Sequence, residues 1–281
     1  MPMSDMTGID WEDAFTNAVH IPGGMGYPAR WAELAQAFRK QAGGRFDLPY
    51  GPGPRERMDV FLPEGTPRGL VTFIHGGFWL AFDKSSWSHL AAGPLAHGWA
   101  VVLPSYTLAP EARIGSITRQ TGRAIAAAAG LVDGPIRLAG HSAGGHLATR
   151  MVCDDSPLPE SIAGRIERVA SISGVHDLRP LQCHSMNEKL RLTASEAAAE
   201  SPALHRRRAN VDVVAWVGAA ERPEFLRQSA LLCESWSTPE APVHLVAESS
   251  RHHFNVIDGL CDPDHELTRF LAGNRALGIS G

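Results

Sequence analysis

The segment around Ser142 constrains the fold of this chain more than any other part of the sequence. An apolar run over residues 136–140 predicts a buried strand, and residues 146–152 have the composition of a helix. Between them lies Gly140-His141-Ser142-Ala143-Gly144, which has the pattern G-x-S-x-G. Because its small residues permit a tight, strained turn, Ser142 is predicted to lie between the strand and the N-terminus of the helix.

A second motif stands upstream, directly after a strand-like run at residues 70–74. It reads His75-Gly76-Gly77-Phe78-Trp79, the type of loop that supplies backbone N–H donors to a developing oxyanion. We therefore predict an oxyanion hole formed by Ala143 together with one or two of Gly76, Gly77 and Phe78. Such pre-positioned donors are often the largest contribution to catalysis. The two motifs together indicate a serine hydrolase with Ser142 as its nucleophile.

The partners of Ser142 are expected downstream, because the chain order in sites of this kind is serine, acid, histidine. A strand-like run at residues 211–218 is followed by Glu221, which we predict to be the acid. Glu224 is the competitor, although it lies beyond Pro223 and falls in the expected next helix. After the last strand-like run, at residues 242–247, the adjacent His252 and His253 are both candidates for the general base.

Strand-like runs alternate with helical stretches along the chain. The strand-like runs are residues 58–62, 70–74, 100–103, 136–139, 168–172, 212–217 and 243–247. This alternation predicts an α/β fold with a mostly parallel sheet of about seven to eight strands and helices on both faces. The predicted site residues follow strand carboxyl ends, where such sheets bind their ligands.

Residues 1–281 are expected to form a single domain, since a chain of this length can bury one large core. Two segments fall outside the alternation, namely residues 1–45 and a helical insertion at about residues 176–206. Residues 1–45 are expected either to cover the mouth of the site or to pack as an ordinary helix, and the insertion is expected to lie over the site.

Composition excludes several classes of function. The net charge of −4 gives no electrostatic reason to expect a nucleic-acid partner. No apolar run approaches the length of a membrane span, and Met1 to Met6 lack the features of a secretory signal. The four cysteines are widely spaced, which favours reduced thiols and a cytoplasmic location; they are Cys153, Cys183, Cys233 and Cys261.

A metal or other cofactor is not expected. His141 and His146 are five residues apart, a spacing that does not place two ligands on one face of a helix. His252 and His253 would meet Asp262 or Asp264 in a metal site only by accident of folding.

With these residues identified, the chain resembles the arylformamidase (kynurenine formamidase)-like branch of the α/β-hydrolases, which is related to the hormone-sensitive-lipase-like carboxylesterases. The resemblance covers about residues 11 to 270. It rests on HGGFW at 75–79, GHSAGGHL at 140–147, SGVHDL at 173–178, Ser-Pro at 201–202, Gln-Ser at 228–229 and His-Phe at 253–254. It implies that His253 is the base. The branch usually has Asp where this chain has Glu221, and the longer side chain is expected to shift the histidine partner.

The resemblance also implies the substrate class. It points to hydrolysis of N-formylkynurenine to kynurenine and formate, or of a small carboxylic ester, so the expected partner is a small molecule. An aryl amide needs an aromatic pocket, which is predicted from His75, Trp79, Tyr106 and His141, with Phe78 and Trp87 as further candidates. The alternatives are a broad carboxylesterase, an acyltransferase using the same residues, and a non-catalytic binding protein. A homodimer is left open.

Overall fold

A computed structural model describes residues 8–273 and shows an eight-stranded sheet flanked by helices. The order across the sheet is β1-β2-β4-β3-β5-β6-β7-β8. Strand β2 runs antiparallel to β1 and β4, and the strands from β4 to β8 are parallel to one another. The strands are β1 (Arg45–Pro49), β2 (Arg57–Phe61), β3 (Leu70–Ile74), β4 (Ala100–Pro104), β5 (Ile136–His141), β6 (Ile166–Ile172), β7 (Asp212–Gly218) and β8 (Val243–Glu248). The α/β-hydrolase fold predicted from the sequence is confirmed.

Helices cover both faces of the sheet. The helices are α1 (Trp11–Phe15), α2 (Tyr27–Ala42), α3 (Ala92–Ala96), α4 (Ile114–Ala129), α5 (Ala143–Arg150), α6 (Glu160–Ala163), α7 (Asn187–Leu190), α8 (Ala194–Ala199), α9 (Pro223–Trp236) and α10 (Glu266–Ala272). Alternate side chains of β3 enter two separate cores: Leu70 and Ile74 join the one packed by α4, α5 and α9, whereas Val71 and Phe73 join the one packed by α10. The buried central strands are therefore apolar on both faces.

Strand β1 is the element that the apolar pattern did not identify. Its side chains are mostly exposed, it lies at the edge of the sheet, and its pairing with β2 is interrupted by a bulge near Asp47. A strand that buries so little leaves no apolar run to detect. The insertion at about residues 176–206 is helical only in short pieces, α7 and α8, with 3₁₀ turns on either side.

The expectation about a secretory signal concerns residues that lie outside those described. Among the helices between residues 8 and 273, none combines the length and hydropathy needed to cross a bilayer. All four cysteines are free thiols, as predicted.

Candidate active site

Ser142 lies on the turn between β5 and α5. Its backbone has φ 55° and ψ −119°, a conformation that few non-glycine residues adopt and that is held by a hydrogen bond from the Ser142 N–H to the Ile172 carbonyl at 2.8 Å. The flanking glycines are required by close approach. A Cβ on Gly140 would lie 2.0 Å from the Gly144 carbonyl oxygen, and a Cβ on Gly144 would lie 1.9 Å from the Ile74 carbonyl oxygen. The turn can therefore form only with glycine at both positions.

Glu221 and His253 form a buried pair. Glu221 follows the end of β7, His253 lies in the loop after β8, and Glu221 Oε2 is 2.6 Å from His253 Nδ1. The Glu221 side chain is fully buried and that of His253 is 4% exposed. Such a contact holds the imidazole with its Nδ1 proton toward the carboxylate and leaves Nε2 for other partners.

The alternative acid and the alternative base are engaged elsewhere. Glu224 accepts hydrogen bonds from Arg227 and from Gln228 inside α9. His252 Nε2 lies 3.2 Å from the hydroxyl of Tyr27, in helix α2. The structure thus brings Glu221 and His253 together and leaves Glu224 and His252 outside the pair.

Ser142 and His253 line the same cavity, which has a volume of about 450 Å³. Within residues 8–273 the Ser142 hydroxyl has no hydrogen-bond partner. In unliganded enzymes the contact between nucleophile and base is often long and tightens only with substrate bound. The cavity therefore offers the hydroxyl and the imidazole to the same ligand.

The loop after β3 runs beside Ser142. A Cβ on Gly76 would lie 3.0 Å from the Ser142 Cβ, so this loop lies directly against Ser142. Gly77 and Phe78 both have positive φ, 102° and 52°. Their backbone N–H groups, like that of Ala143 at the start of α5, have no acceptor among the described residues. Free backbone donors beside a serine hydroxyl are what an oxyanion hole requires.

The aromatic pocket differs in part from the one predicted. Phe78, Trp87 and His141 line the cavity, but His75, Trp79 and Tyr106 do not. The His75 ring stacks on Tyr106 at 4.3 Å, and the Tyr106 hydroxyl donates to the His75 carbonyl.

Trp79 is fully buried against the edge of His146. Trp79 has a φ of 58°, and its side chain belongs to the core and not to the cavity lining. The predicted pocket is therefore wrong for three residues, His75, Trp79 and Tyr106. Their side chains are buried and do not line the cavity.

Other walls of the cavity come from segments outside the parallel sheet. The N-terminal segment contributes residues 15–18 and Trp31, and the insertion contributes His184 and Met186. Two further aromatic side chains complete the lining: Phe82, and Phe254, which directly follows His253.

Ser173 is a residue of the site that the sequence did not single out for a role. It follows β6, and its hydroxyl donates to Glu221 Oε1 at 2.5 Å, while the Gly218 N–H donates to the same oxygen at 2.7 Å. Ser173 is fully buried and has φ 50°. Two features of the sequence could have indicated this role: Ser173 is the first residue of the SGVHDL segment, and it follows the carboxyl end of a strand.

His141 links the turn at Ser142 to the loop that carries His253. Its Nε2 lies 2.8 Å from the His253 carbonyl oxygen, and because a carbonyl only accepts, Nε2 must carry the proton. Burial and the neighbouring His253 hold the pKa of His141 well below its usual range. His141 is therefore a neutral donor that fixes the backbone of His253.

Comparison with known proteins places this site in a family. A family model described as BD-FAE matches residues 58–226, which is more than half of the 281 residues. The matched region runs from β2 to the start of α9, so it includes the HGGFW loop, the Ser142 turn and Glu221.

Individual proteins extend the likeness. The kynurenine formamidase of Salmo salar is 32% identical over 237 residues, covering 80% of each chain. An isoprenylcysteine alpha-carbonyl methylesterase of Arabidopsis thaliana is 28% identical over 168 residues, covering 54% of this chain and 39% of the plant protein. A crystal structure described as a candidate thioesterase from Silicibacter sp. TM1040 is 50% identical, with a TM-score of 0.90 over 94% of this chain and 99% of that one.

Proposed function

This chain belongs to the BD-FAE family and to the arylformamidase-like branch of the α/β-hydrolases, and on that premise we propose that it is a serine hydrolase acting on an aryl formamide or a small carboxylic ester. N-Formylkynurenine is the formamide to test first, because the Salmo salar relative is a kynurenine formamidase. Support for the proposal comes chiefly from the buried Glu221–His253 pair, which opens on the same cavity as Ser142.

In the first half-reaction, Ser142 Oγ attacks the carbonyl carbon of the substrate while its proton passes to His253 Nε2. Glu221 stabilises the imidazolium that forms, without itself becoming protonated. The negative charge on the carbonyl oxygen is received by the backbone N–H groups of Ala143, Gly77 and Phe78. When the tetrahedral intermediate collapses, the proton on Nε2 moves to the departing nitrogen or oxygen, and the acyl group remains on Ser142.

In the second half-reaction, water replaces the leaving group. His253 takes a proton from the water molecule as the water oxygen attacks the acyl carbon. When the carboxylic acid leaves, His253 gives this proton to Ser142 Oγ. A formamide therefore yields an arylamine and formate, and an ester yields an alcohol and a carboxylate. Neither step needs a group beyond this chain, the substrate and water.

A thioester hydrolase is the second candidate, and it is favoured by the 50% identity to the Silicibacter protein described as a candidate thioesterase. The chemistry at Ser142 would be the same, with a thiolate as the leaving group. The candidates differ only in what the cavity accepts, so kinetics on a substrate panel separates them.

The nucleophile is tested with a fluorophosphonate probe followed by peptide mass analysis. We expect one label per chain, on Ser142, in the wild type and in Ser85→Ala, an exposed-serine control, and no label in Ser142→Ala. Stoichiometric labelling of another residue would remove the basis of the proposed mechanism.

The substrate class is tested by comparing kcat/KM for N-formylkynurenine, p-nitrophenyl acetate and an acetyl thioester. A preference of about tenfold, which corresponds to about 1.4 kcal/mol, assigns the class. Activity toward none of the three, with Ser142 unlabelled, would contradict the proposal as a whole.

A further inference from the structure

The cavity beside Ser142 has walls without formal charge. Among the described residues that line it there is no Asp, Glu, Lys or Arg, and most of the surface is aromatic or aliphatic. Its ionisable side chains are the imidazoles of His141, His184 and His253. The pKa of His141 lies well below its usual range and that of His184 is lowered by burial, so neither offers a cation at neutral pH. His253 already has a carboxylate partner in Glu221.

The rim of the cavity carries negative charge. Helix α1 ends at Phe15, which lines the cavity, and it bears Glu12 and Asp13 in its first turn with no basic residue in its last. Asp13 is paired with Arg222. Glu12 instead receives hydrogen bonds from the Ser185 N–H and hydroxyl, which lower its pKa, so it stays ionised.

Glu12 also stands close to the cavity wall. Its carboxylate lies 3.4 Å from Nδ1 of His184, and His184 lines the cavity. Since His184 Nδ1 accepts a hydrogen bond from the Met186 N–H, it carries no proton, and this imidazole does not cancel the charge of Glu12. Asp10, the N-cap residue of the same helix, is a further carboxylate close enough to act on His184 and Glu12 electrostatically.

We infer that the aromatic leaving group of the natural substrate carries no free carboxylate, and that this enzyme prefers an uncharged aryl formamide or ester to N-formylkynurenine itself. The inference rests on the proposed function. A carboxylate that enters the cavity would lose its water without gaining a cationic partner, which is costly. One that remains at the rim would face Glu12. An uncharged aromatic group meets neither penalty, and it packs favourably against the aromatic side chains of the cavity.

The experiment compares three formamides that share the same ring and ketone. They are 2′-formamidoacetophenone, which is uncharged; N-formylkynurenine, which is zwitterionic; and 4-(2-formamidophenyl)-4-oxobutanoate, which is anionic. We expect kcat/KM to fall in that order, because the ammonium of the zwitterion can pair with Glu12 and the anion has no such compensation. The uncharged compound should exceed the anion by at least about tenfold. A smaller preference, or a reversed one, overturns the inference.

A charge variant tests the rim directly. In Glu12→Gln, the ratio of kcat/KM for the anionic substrate to that for the uncharged one should rise at least about threefold, in the range expected for removing one exposed charge. Glu64→Gln, an exposed acid elsewhere on the chain, is the matched control and should leave the ratio unchanged. An unchanged ratio in Glu12→Gln contradicts the assigned role of this carboxylate.

These outcomes remain distinct from failure of the proposed function. If the formamides are cleaved and the carboxylate-bearing ones are cleaved best, only the inference about charge is wrong. If no formamide is cleaved and the fluorophosphonate leaves Ser142 unmodified, the proposed hydrolase activity itself is wrong.

Discussion

At the scale of single residues, the carboxylate of Glu221 is held at both of its oxygens. Oε2 contacts His253, and Oε1 accepts from the Ser173 hydroxyl and from the Gly218 N–H. The Ser173 hydroxyl thereby fixes the side-chain rotation of an acid that is longer than the Asp usual in this branch. Ser173 acts on the base only through Glu221, so it is a positioning residue.

Ser173→Gly tests this role, because glycine tolerates the positive φ of 50° at this position while removing the hydroxyl. We expect kcat to fall about 10- to 100-fold, the loss expected for one hydrogen bond to a charged group, with KM little changed. Ser173→Ala should lose at least as much. The measurement is steady-state kcat, divided by the fraction of protein molecules that react with the fluorophosphonate, so that unfolded or inactive protein is not counted. If kcat in Ser173→Gly equals that of the wild type, the Ser173 hydroxyl does not position Glu221, and its assigned role is wrong.

The two adjacent histidines are expected to differ sharply on substitution. His253→Ala removes the imidazole paired with Glu221 and should lower kcat by about 10⁴-fold or more, the loss known for serine hydrolases that lose a catalytic residue. His252→Ala removes only the contact with the Tyr27 hydroxyl, and kcat should remain within about tenfold of wild type. Single-turnover acylation measured with p-nitrophenyl acetate distinguishes them, and the reverse ranking would exchange the two assignments.

The sequence predicts which candidate residues come together where their position follows from chain order. Ser142, Glu221 and His253 each follow a recognisable strand, and the carboxyl ends of parallel strands meet at one edge. It fails for Trp79 and Tyr106, because the direction of a side chain in an irregular loop depends on local φ values and distant partners. Such contacts leave no periodic signal in the sequence.

At the scale of elements, the strand-turn-helix around Ser142 is determined locally. Its glycines are required by contacts with the turn itself and with the neighbouring strand β3, so the sequence predicts this element with its correct geometry. Strand β1 and the anchoring of helix α10 depend instead on partners far along the chain.

Gly144→Ala should destabilise the protein severely. The added methyl would lie 1.9 Å from the Ile74 carbonyl oxygen, and because that atom belongs to a central strand it cannot rotate away. We expect a loss of about 3 kcal/mol or more in the free energy of unfolding, measured by urea denaturation. Gly130→Ala is the control: its methyl would come no closer than 3.4 Å to the neighbouring Ala127 carbonyl and the backbone is helical there, so its urea midpoint should equal or slightly exceed that of the wild type. A wild-type midpoint in Gly144→Ala would contradict this account of the turn.

Helix α10 shows a kind of contact that the sequence cannot reveal. Arg137 and Arg168 stand in β5 and β6, and their guanidinium groups donate to carbonyl oxygens of residues 270–273 at the carboxyl end of α10. The Trp99 indole N–H donates to the Ala272 carbonyl at 2.8 Å. These donors satisfy carbonyls that the helix leaves unpaired. In the sequence the arginines only interrupt otherwise apolar strands.

At the scale of the whole molecule, the site is assembled from parts that are distant in the chain. The N-terminal segment packs onto the base loop through Tyr27 and onto the insertion through Glu12. Residues 15–18 and His184 line the cavity that Ser142 also lines. We propose that both segments act as a cap, as the sequence allowed. The charge at the cavity rim, that of Glu12, thus comes from the N-terminal segment and not from the parallel sheet.

Burial of neutral histidines gives the molecule a predictable sensitivity to acid. Burial lowers the pKa of His75, His89 and His176 to about 4 and that of His146 to about 3. In the unfolded chain these groups titrate at about 6.5. Between about pH 6.5 and pH 4 the unfolded state therefore binds more protons than the folded state, and stability falls as the pH falls.

Each such histidine should contribute about 1.4 kcal/mol per pH unit within that window, so urea midpoints should drop steeply from pH 7 to pH 5. His89→Leu isolates one contribution, since neither ring nitrogen of His89 has a hydrogen-bond partner among the described residues and the substitution removes no such contact. We expect His89→Leu to keep or exceed wild-type stability at pH 7.5 and to show a slope reduced by up to one proton between pH 6 and pH 5. If its slope equals that of the wild type, the imidazole of His89 is already protonated in the folded state, and burial does not keep this histidine neutral.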